Sequence, residues 1–343
     1  MIASSPDPLA PLLALDNLRV SFAIRSPILR RIKMQVDAVA GVDLAVAPGK
    51  TMGVVGESGC GKSTMARAIV GLERPTGGSI RFAGEAIEDA DANARRRLAR
   101  DIQMIFQDPF ASLNPRKTVA QIIGEVWDVH PDLTPEHGRE REIIRLMERV
   151  GLSPEMASRF PHQFSGGQRQ RIGIARAIAL RPRLIVCDEP VSALDVSVQA
   201  QTLNLLAELQ QEFGLAYLFI AHDLSVVRHI SDELAVMYLG RIVETGPVET
   251  IYQQPAHPYS IALLSAIPVP RPWAEERPPR IVLEGDVPTP LAPPSGCRFH
   301  TRCFMARDVC RSESPSLRPV AGRNVACHFA EEALTRSAPG ADA

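Results

Sequence analysis

The chain has 343 residues, 45% of them apolar and 22% charged, with a formal net charge of −1. That length exceeds the ~250–300 residues at which one hydrophobic core stops growing, so a large domain with an appendage is expected. The charge balance carries no global basic excess, which speaks against nucleic acid as a partner held by phosphate neutralisation.

No apolar run approaches the ~18–20 residues of a membrane span; the longest, Leu215 to Ala221, is of strand length. The opening stretch MIASSPDPLAPLLALD lacks a basic segment followed by an uninterrupted apolar core, so no secretion signal is expected. A cytosolic setting follows, in which the six cysteines stay reduced and a cluster of them points to metal before disulfide.

In chain order, Leu12 to Phe22 and Gln35 to Val46 alternate loosely between apolar and polar positions, as half-buried antiparallel strands do. Thr51 to Gly56 is a short apolar strand running into a Gly-rich turn, and Lys62 to Leu72 follows with helical spacing. Gly56, Gly61, Lys62 and Ser63 fit G-x(4)-G-K-[ST], a phosphate loop whose backbone N–H groups curl round a nucleotide's phosphates. Gly56, Ser58, Gly59, Cys60, Gly61, Lys62, Ser63 and Thr64 are therefore candidate nucleotide-binding residues, with Lys62 reaching the β- and γ-phosphates and Ser63 ligating Mg²⁺.

Ser79 to Phe82 and Ile102 to Phe106 read as further strands, and the intervening Arg95, Arg96, Arg97 and Arg100 as a solvated helix face. Gln107 ends the second of these strands, where its amide can reach both a metal ion and an attacking water. Asp108-Pro109 and Asn114-Pro115 then mark a loop. From Val119 to about Leu180 the periodicity is helical, with Ile143, Ile144, Leu146, Met147 and Val150 on one face of a charged helix, so an all-helical insertion is expected. Phe164 to Arg171, read FSGGQRQR, exposes consecutive N–H groups at a helix start, where unpaired donors and the helix dipole favour an anion.

Strand–helix alternation resumes with Arg183 to Cys187, Val198 to Phe213, Ala216 to Ala221, Leu224 to Ile230 and Leu234 to Val243. The first of these strands ends in two carboxylates, which beside a phosphate loop divide the work: Asp188 near Mg²⁺ and Glu189 as the base that orients and deprotonates the attacking water. His222 follows the strand Ala216 to Ala221 and is a candidate hydrogen-bond donor to the γ-phosphate. Prolines at 255, 258, 268, 270, 272, 278 and 279 mark a linker to Cys297, Cys303, Cys310 and Cys327, spaced C-x5-C-x6-C-x16-C. That spacing lacks the C-x2-C knuckle usual for zinc, while four thiolates suffice for an iron–sulfur cluster; cluster, zinc and plain buried thiols all stand as readings. Residues 331–343, rich in Ala, Ser and Gly, are expected to be disordered.

Phosphate loop, Gln107, FSGGQRQR, Asp188-Glu189, Ser192 to Asp195 and His222 occur in the order and at about the spacing of ATP-binding cassette ATPases, and over roughly residues 12–250 the chain resembles that family. The resemblance implies an α/β P-loop NTPase with a RecA-like core, an antiparallel β-subdomain and an all-helical insertion. Its expected extent is 10–254, with the insertion at about 108–180, followed by a small Cys-containing extension at 255–330. It also implies Mg²⁺ held by Ser63, Gln107 and Asp188, adenine stacked on Phe22, and a head-to-tail pair of cassettes. In such a pair Ser165, Gly166, Gly167 and Gln168 act on ATP held by the other chain's Lys62, and Ser192 to Asp195 communicate between the two sites.

Ala256 to Ser260 (AHPYS), the following Leu263 to Pro268, and the loop Gln107 to Pro115 resemble ATPases of the oligopeptide, dipeptide and nickel importer group, and among them one of two paired peptide-importer ATPases. Some members are similar in the tail, which resembles a [4Fe–4S] binder. The resemblance thus implies a peripheral subunit on the cytoplasmic face of the cell membrane, using ATP and Mg²⁺. Its implied partners are a second, non-identical ATPase, two membrane permeases and an external substrate-binding protein. Nickel or glutathione import by the same machinery, and a soluble cassette ATPase acting on nucleic acid or ribosomes, are the competing functions. A storage or regulatory module without turnover does not fit the intact Gln107, Glu189 and His222.

Overall fold

Parallel strands covered on both faces read as unbroken apolar runs, and three of them build the first of two compact units, drawn from Met1–Leu13, Val46–Thr51 and Arg81–Ala221. The structure, a computed structural model, describes residues 10–25, 32–88, 90–267, 281–286 and 288–337. In this unit Leu184–Asp188 lies between Ile102–Ile105 and Ala216–Ile220, parallel to both, with Ile105 opposite Cys187 and Asp188 opposite Ile220. Because the register is parallel, the carboxyl ends of Ile102–Ile105 and Leu184–Asp188 emerge together, the edge at which open α/β sheets present their ligands.

Between residues 106 and 183 no strand occurs among the described residues, as an all-helical insertion requires. Its helices include Val119–Gly124, Arg139–Arg149 and Gly166–Ile178. Val119, Ile122, Ile123 and Trp127 are buried together with Ile143, Leu146, Met147 and Val150. Ile144, expected on the same face, is instead 39% exposed. At 100° per residue it falls outside the 143–146–147–150 stripe, while Glu142 is buried and meets His137 Nε2 at 2.8 Å. The Arg-rich stretch forms the helix Ala92–Asp101, which buries none of its residues.

The second unit comprises Ala14–Ala45, Met52–Ile80 and His222–Ala343. The strands Ile32–Val46, Leu13–Arg25 and Gly77–Phe82 lie side by side in that order. Asn17, at φ 46°, takes an extra step in its strand, so that burial passes from Leu15 to Leu18 and Val20 instead of keeping a strict two-residue period.

Thr51–Val55 runs parallel to Glu233–Tyr238, which turns back antiparallel as Arg241–Pro247. The stretch Leu234 to Val243, expected as one strand, is therefore a hairpin. Leu239 and Gly240 at its tip have φ of 43° and 80°, the left-handed pair that matches the twist of adjoining strands.

The C-terminal region adds to this same sheet. Arg323–Val325 pairs with Arg241–Pro247, Glu244 opposite Val325, and Arg318–Val320 pairs in turn with Arg323–Val325. Pro255 and Pro258, expected to open a linker, do not do so. Pro258 opens the helix Pro258–Ser265 at its first position, where proline loses no hydrogen bond, and His257 Nδ1 caps it by accepting from Tyr259 N at 3.0 Å. The prolines at 268–279 lie outside the described residues. The tail expected to be disordered from 331 instead forms the helix Ala330–Ser337, with Ala330 and Ala333 buried, and 338–343 lie outside the described residues.

Candidate functional site

The phosphate loop is shaped by glycines that cannot be replaced. Gly61, the residue before the helix Lys62–Ile69, has φ 111°, and a Cβ there would sit 2.1 Å from Ala38 O. The loop so formed wraps the Lys62 side chain, which is 4% exposed and donates from Nζ to Gly56 O at 2.8 Å and Glu57 O at 3.1 Å. Ser58 and Gly59 are exposed at the tip, Cys60 is buried, and Ser63 and Thr64 follow in the first helical turn, half-buried. Burial raises the Cys60 pKa, so it is a thiol at neutral pH. Phe22, 39% exposed on Leu13–Arg25, stands out of the core and presents its ring to solvent.

In the first unit, Gln107 and Glu189 meet. Gln107 Nε2 donates to Glu189 Oε2 at 3.1 Å, across the adjacent ends of Ile102–Ile105 and Leu184–Asp188. Asp188 closes its strand 4% exposed, whereas Glu189 turns sharply away with φ 46°, a left-handed conformation costing a residue of this kind ~1–3 kcal/mol. The bend is held by Glu189 N donating to Ile220 O at 2.9 Å and by Ser192 Oγ donating to Glu189 O at 3.0 Å. Such local strain separates the aims of two neighbouring carboxylates. His222, exposed, is the first residue of the second unit after the strand Ala216–Ile220.

FSGGQRQR has a structural role as well. Ser165 Oγ accepts from Gln168 N at 3.3 Å and Gln168 Oε1 accepts from Ser165 N at 3.1 Å, a reciprocal cap at the start of Gly166–Ile178. Gly166 is exposed beside Ser165. Gly167 allows close approach of the next long helix, Val196–Phe213: a Cβ on it would lie 2.5 Å from Val198 Cγ1. The start of Gly166–Ile178 and the loop Ser192 to Asp195, which precedes Val198, are thus one packed piece.

Cys297, Cys303, Cys310 and Cys327 carry free thiols, and Cys297 N donates to Cys310 O at 2.9 Å. Burial raises Cys303 to about 12 and Cys327 to about 11. Among the described residues no group of three or more His, Cys, Asp or Glu side chains is placed to hold a metal ion, so the expected iron–sulfur or zinc site has no ligand geometry here. His300 Nδ1 lies 2.8 Å from Cys297 O and His328 Nε2 3.1 Å from Glu313 O, so both serve local structure.

Two residues that the motifs pass over also reach the phosphate loop. Arg302 Nη1 donates to Glu57 Oε2 at 2.8 Å and Oε1 at 3.0 Å, and Glu57 N donates to Tyr259 Oη at 2.9 Å. Glu57 occupies an unspecified position of the phosphate-loop pattern, and Arg302 lies among the cysteines, where no motif includes it. The His-Pro-Tyr run was the one signal in the sequence that pointed here.

The sequence matches the family model "ABC transporter" over residues 39–192 and the model "Oligopeptide/dipeptide transporter, C-terminal region" over residues 243–310. It is 51% identical to the oligopeptide transport ATP-binding protein AppF of Bacillus subtilis, over 93% of this chain and 97% of that one. It is 52% identical to the di/tripeptide transport ATP-binding protein DppF of Pseudomonas aeruginosa, over 88% of this chain and 92% of that one. The fold is similar to the ATP-binding cassette MJ0796, seen as a dimer bound to ADP and Pi in a post-hydrolysis state. The TM-score is 0.61 at 26% identity, covering 69% of this chain and 98% of the other. Among the described residues no helix is long and apolar enough to cross a membrane.

Proposed function

The chain belongs to the ATP-binding cassette family of transport ATPases, and from that membership we propose that it is the ATP-hydrolysing subunit that powers peptide import through separate membrane permeases. The observation that carries the ATPase reading is the Gln107–Glu189 contact at the carboxyl ends of adjacent parallel strands, with Glu189 fixed in a strained bend. Peptide as cargo is supported by the relatives' names together with the match of residues 243–310, since both similarities run through the C-terminal region. The functional division follows the motifs: an ATPase domain at 10–254 and an extension at 255–330.

In the proposed cycle ATP enters with its adenine on Phe22 and its phosphates in the loop Gly56, Ser58, Gly59, Cys60, Gly61, with Thr64 behind them. Lys62 exchanges the carbonyl oxygens of Gly56 and Glu57 for the β- and γ-phosphates. Glu189 takes the proton of the attacking water, held in line by Gln107, and His222 donates to the γ-phosphate. Ser63, Gln107 and Asp188 would supply oxygen donors of the kind Mg²⁺ takes, and that ion would neutralise charge building on the phosphates. Gln107 donates to Glu189 through its amide nitrogen, which leaves its amide oxygen as the atom the ion would take.

Ser165, Gly166, Gly167 and Gln168 serve ATP bound by a second ATPase, similar but not identical, so each chain supplies half of each site. Phe110, three residues after Gln107, is 63% exposed with the Arg169 guanidinium 3.4 Å over its ring, and this face is the proposed seat for a permease loop. Docking there places the subunit on the cytoplasmic side of the membrane, with an external binding protein delivering the peptide. A [4Fe–4S] cluster at Cys297, Cys303, Cys310 and Cys327 is proposed on the four free thiols of this region, where Cys297 N donates to Cys310 O at 2.9 Å, and it would need the other two cysteines drawn in as ligands. Iron and acid-labile sulfide in anaerobically purified protein support it; neither, with four titratable thiols, removes it.

Purification from gently solubilised membranes tests the functional reading. Integral membrane proteins in stoichiometric amount are expected with the chain, and recovery with nucleic acid or ribosomes in their place contradicts it.

A further inference from the structure

We propose that the C-terminal region tunes ATP binding through Glu57, with Arg302 and Tyr259 as positioning residues for the phosphate loop. This rests on the ATPase reading above. Glu57 is the second residue of the loop, and all three of its polar groups are engaged. Its carboxylate takes both contacts from Arg302, whose side chain is 8% exposed, its N–H is taken by the buried Tyr259 hydroxyl, and its C=O accepts from Lys62 Nζ. The lysine that must meet the phosphates therefore shares one residue, Glu57, with two groups supplied from residues 259 and 302.

The brace is itself packed from behind. Tyr259, Tyr238 and Phe299 pack ring on ring, with centroids 4.7, 5.1 and 5.3 Å apart. The helix that carries Tyr259 is pinned at its start by Glu244, which is 0% exposed and accepts from Ala256 N at 2.9 Å and His257 N at 3.1 Å. Arg323 lies 3.6 Å from Glu244, also buried. A pocket of about 160 Å³, walled by residues 57–60 of the loop, by Tyr238 and Leu239, and by residues 288–290, shows the C-terminal chain lying along the loop at a second place.

The electrostatic consequence has a definite sign. A carboxylate one residue into a phosphate loop repels the triphosphate that the loop collects, and a guanidinium held on both its oxygens cancels that charge where little water screens it. Removing Arg302 leaves the Glu57 carboxylate uncompensated, so ATP binding weakens. Removing the Glu57 charge as well restores it, which loss of packing alone would not do.

The test uses the assembled transporter and reads KM and kcat for ATP separately. Arg302→Ala is expected to raise KM roughly tenfold, the scale of one charge-assisted contact, with kcat at saturation changed far less. Arg302→Lys should fall between, and Glu57→Gln combined with Arg302→Ala should return KM to within about twofold of the unmodified protein. Arg228→Ala, which breaks the exposed pair with Glu249, is the control expected to change neither constant. A KM for Arg302→Ala within twofold of the original, or a double variant no better than the single, overturns the proposal. If Arg302→Ala is not recovered folded, Tyr259→Phe decides: KM raised with kcat kept supports the brace, and unchanged KM overturns it. An unmodified transporter without ATP hydrolysis sinks the ATPase reading instead, before any variant is compared.

Discussion

The amide of Gln107 donates to the carboxylate of Glu189 at 3.1 Å, linking the loop that leaves one parallel strand to the bend that closes its neighbour. The contact orients the proposed base and ties it to the start of the helical insertion. Glu189→Gln keeps the shape and removes the proton acceptor, so ATP affinity should be retained while turnover falls by about 10²–10⁴. Equilibrium nucleotide binding beside single-turnover hydrolysis checks it, and hydrolysis at the original rate would take Glu189 out of this role.

Gly167 gives a prediction about packing. A Cβ at this position would lie 2.5 Å from Val198 Cγ1, so Gly167→Ala is expected to cost about 1–3 kcal/mol from overpacking between the two helices. Val198→Ala in the same chain should recover a large part of that loss by removing the clashing methyl. Denaturant midpoints of the two single variants and the double variant measure it, and simple additivity of the two losses would count against the contact.

His257 makes stability depend on pH. Complete burial holds its pKa down at about 3, against 6.5 for an ordinary histidine, so the folded chain keeps the ring neutral where the unfolded chain protonates it. The folded pKa is the lower one, so this stability is fully present above about pH 6.5 and is lost as pH falls towards 3, by up to about 1.4 kcal/mol per unit. Neutral Nδ1 is also the atom that caps the helix Pro258–Ser265. His257→Asn, which retains a capping oxygen, should flatten the stability profile between pH 6 and 4 measured by urea unfolding, and an unaltered slope would refute the assignment.

The buried Glu244–Arg323 pair anchors the C-terminal strands to the nucleotide-binding sheet. Arg323→Ala leaves a carboxylate that is 0% exposed without its counter-charge, and a loss of about 3–5 kcal/mol is expected. Thermal unfolding followed by circular dichroism checks this; a shift no larger than that of an exposed pair such as Arg318–Glu331 would contradict it.

The parts of this structure that sequence reveals are those that repeat locally. Unbroken apolar runs are the clearest case: Leu184–Asp188 and Ala216–Ile220 are continuous in burial, so their ends, and with them Asp188 and Glu189, could be placed by reading along the chain. Leu239 and Gly240 hid a hairpin inside one apolar stretch, because a left-handed leucine leaves no compositional mark. Arg318–Val320 and Arg323–Val325 are too short to show alternation. The Ala-rich end looked featureless, yet alanine has the highest helix propensity, and burial of Ala330 and Ala333 favours the helix. The contacts of Glu57 with Tyr259 and Arg302 span 202 and 245 residues, separations that no local pattern encodes.

The central claim, ATP hydrolysis by this chain coupled to peptide import, is tested most directly by reconstituting it in liposomes with the proposed partner ATPase and permeases, with the proposed binding protein on the opposite side. ATP-dependent accumulation of a labelled di- or oligopeptide, abolished by Glu189→Gln, is the predicted result. Accumulation of nickel alone, or hydrolysis with no peptide moved, would contradict it.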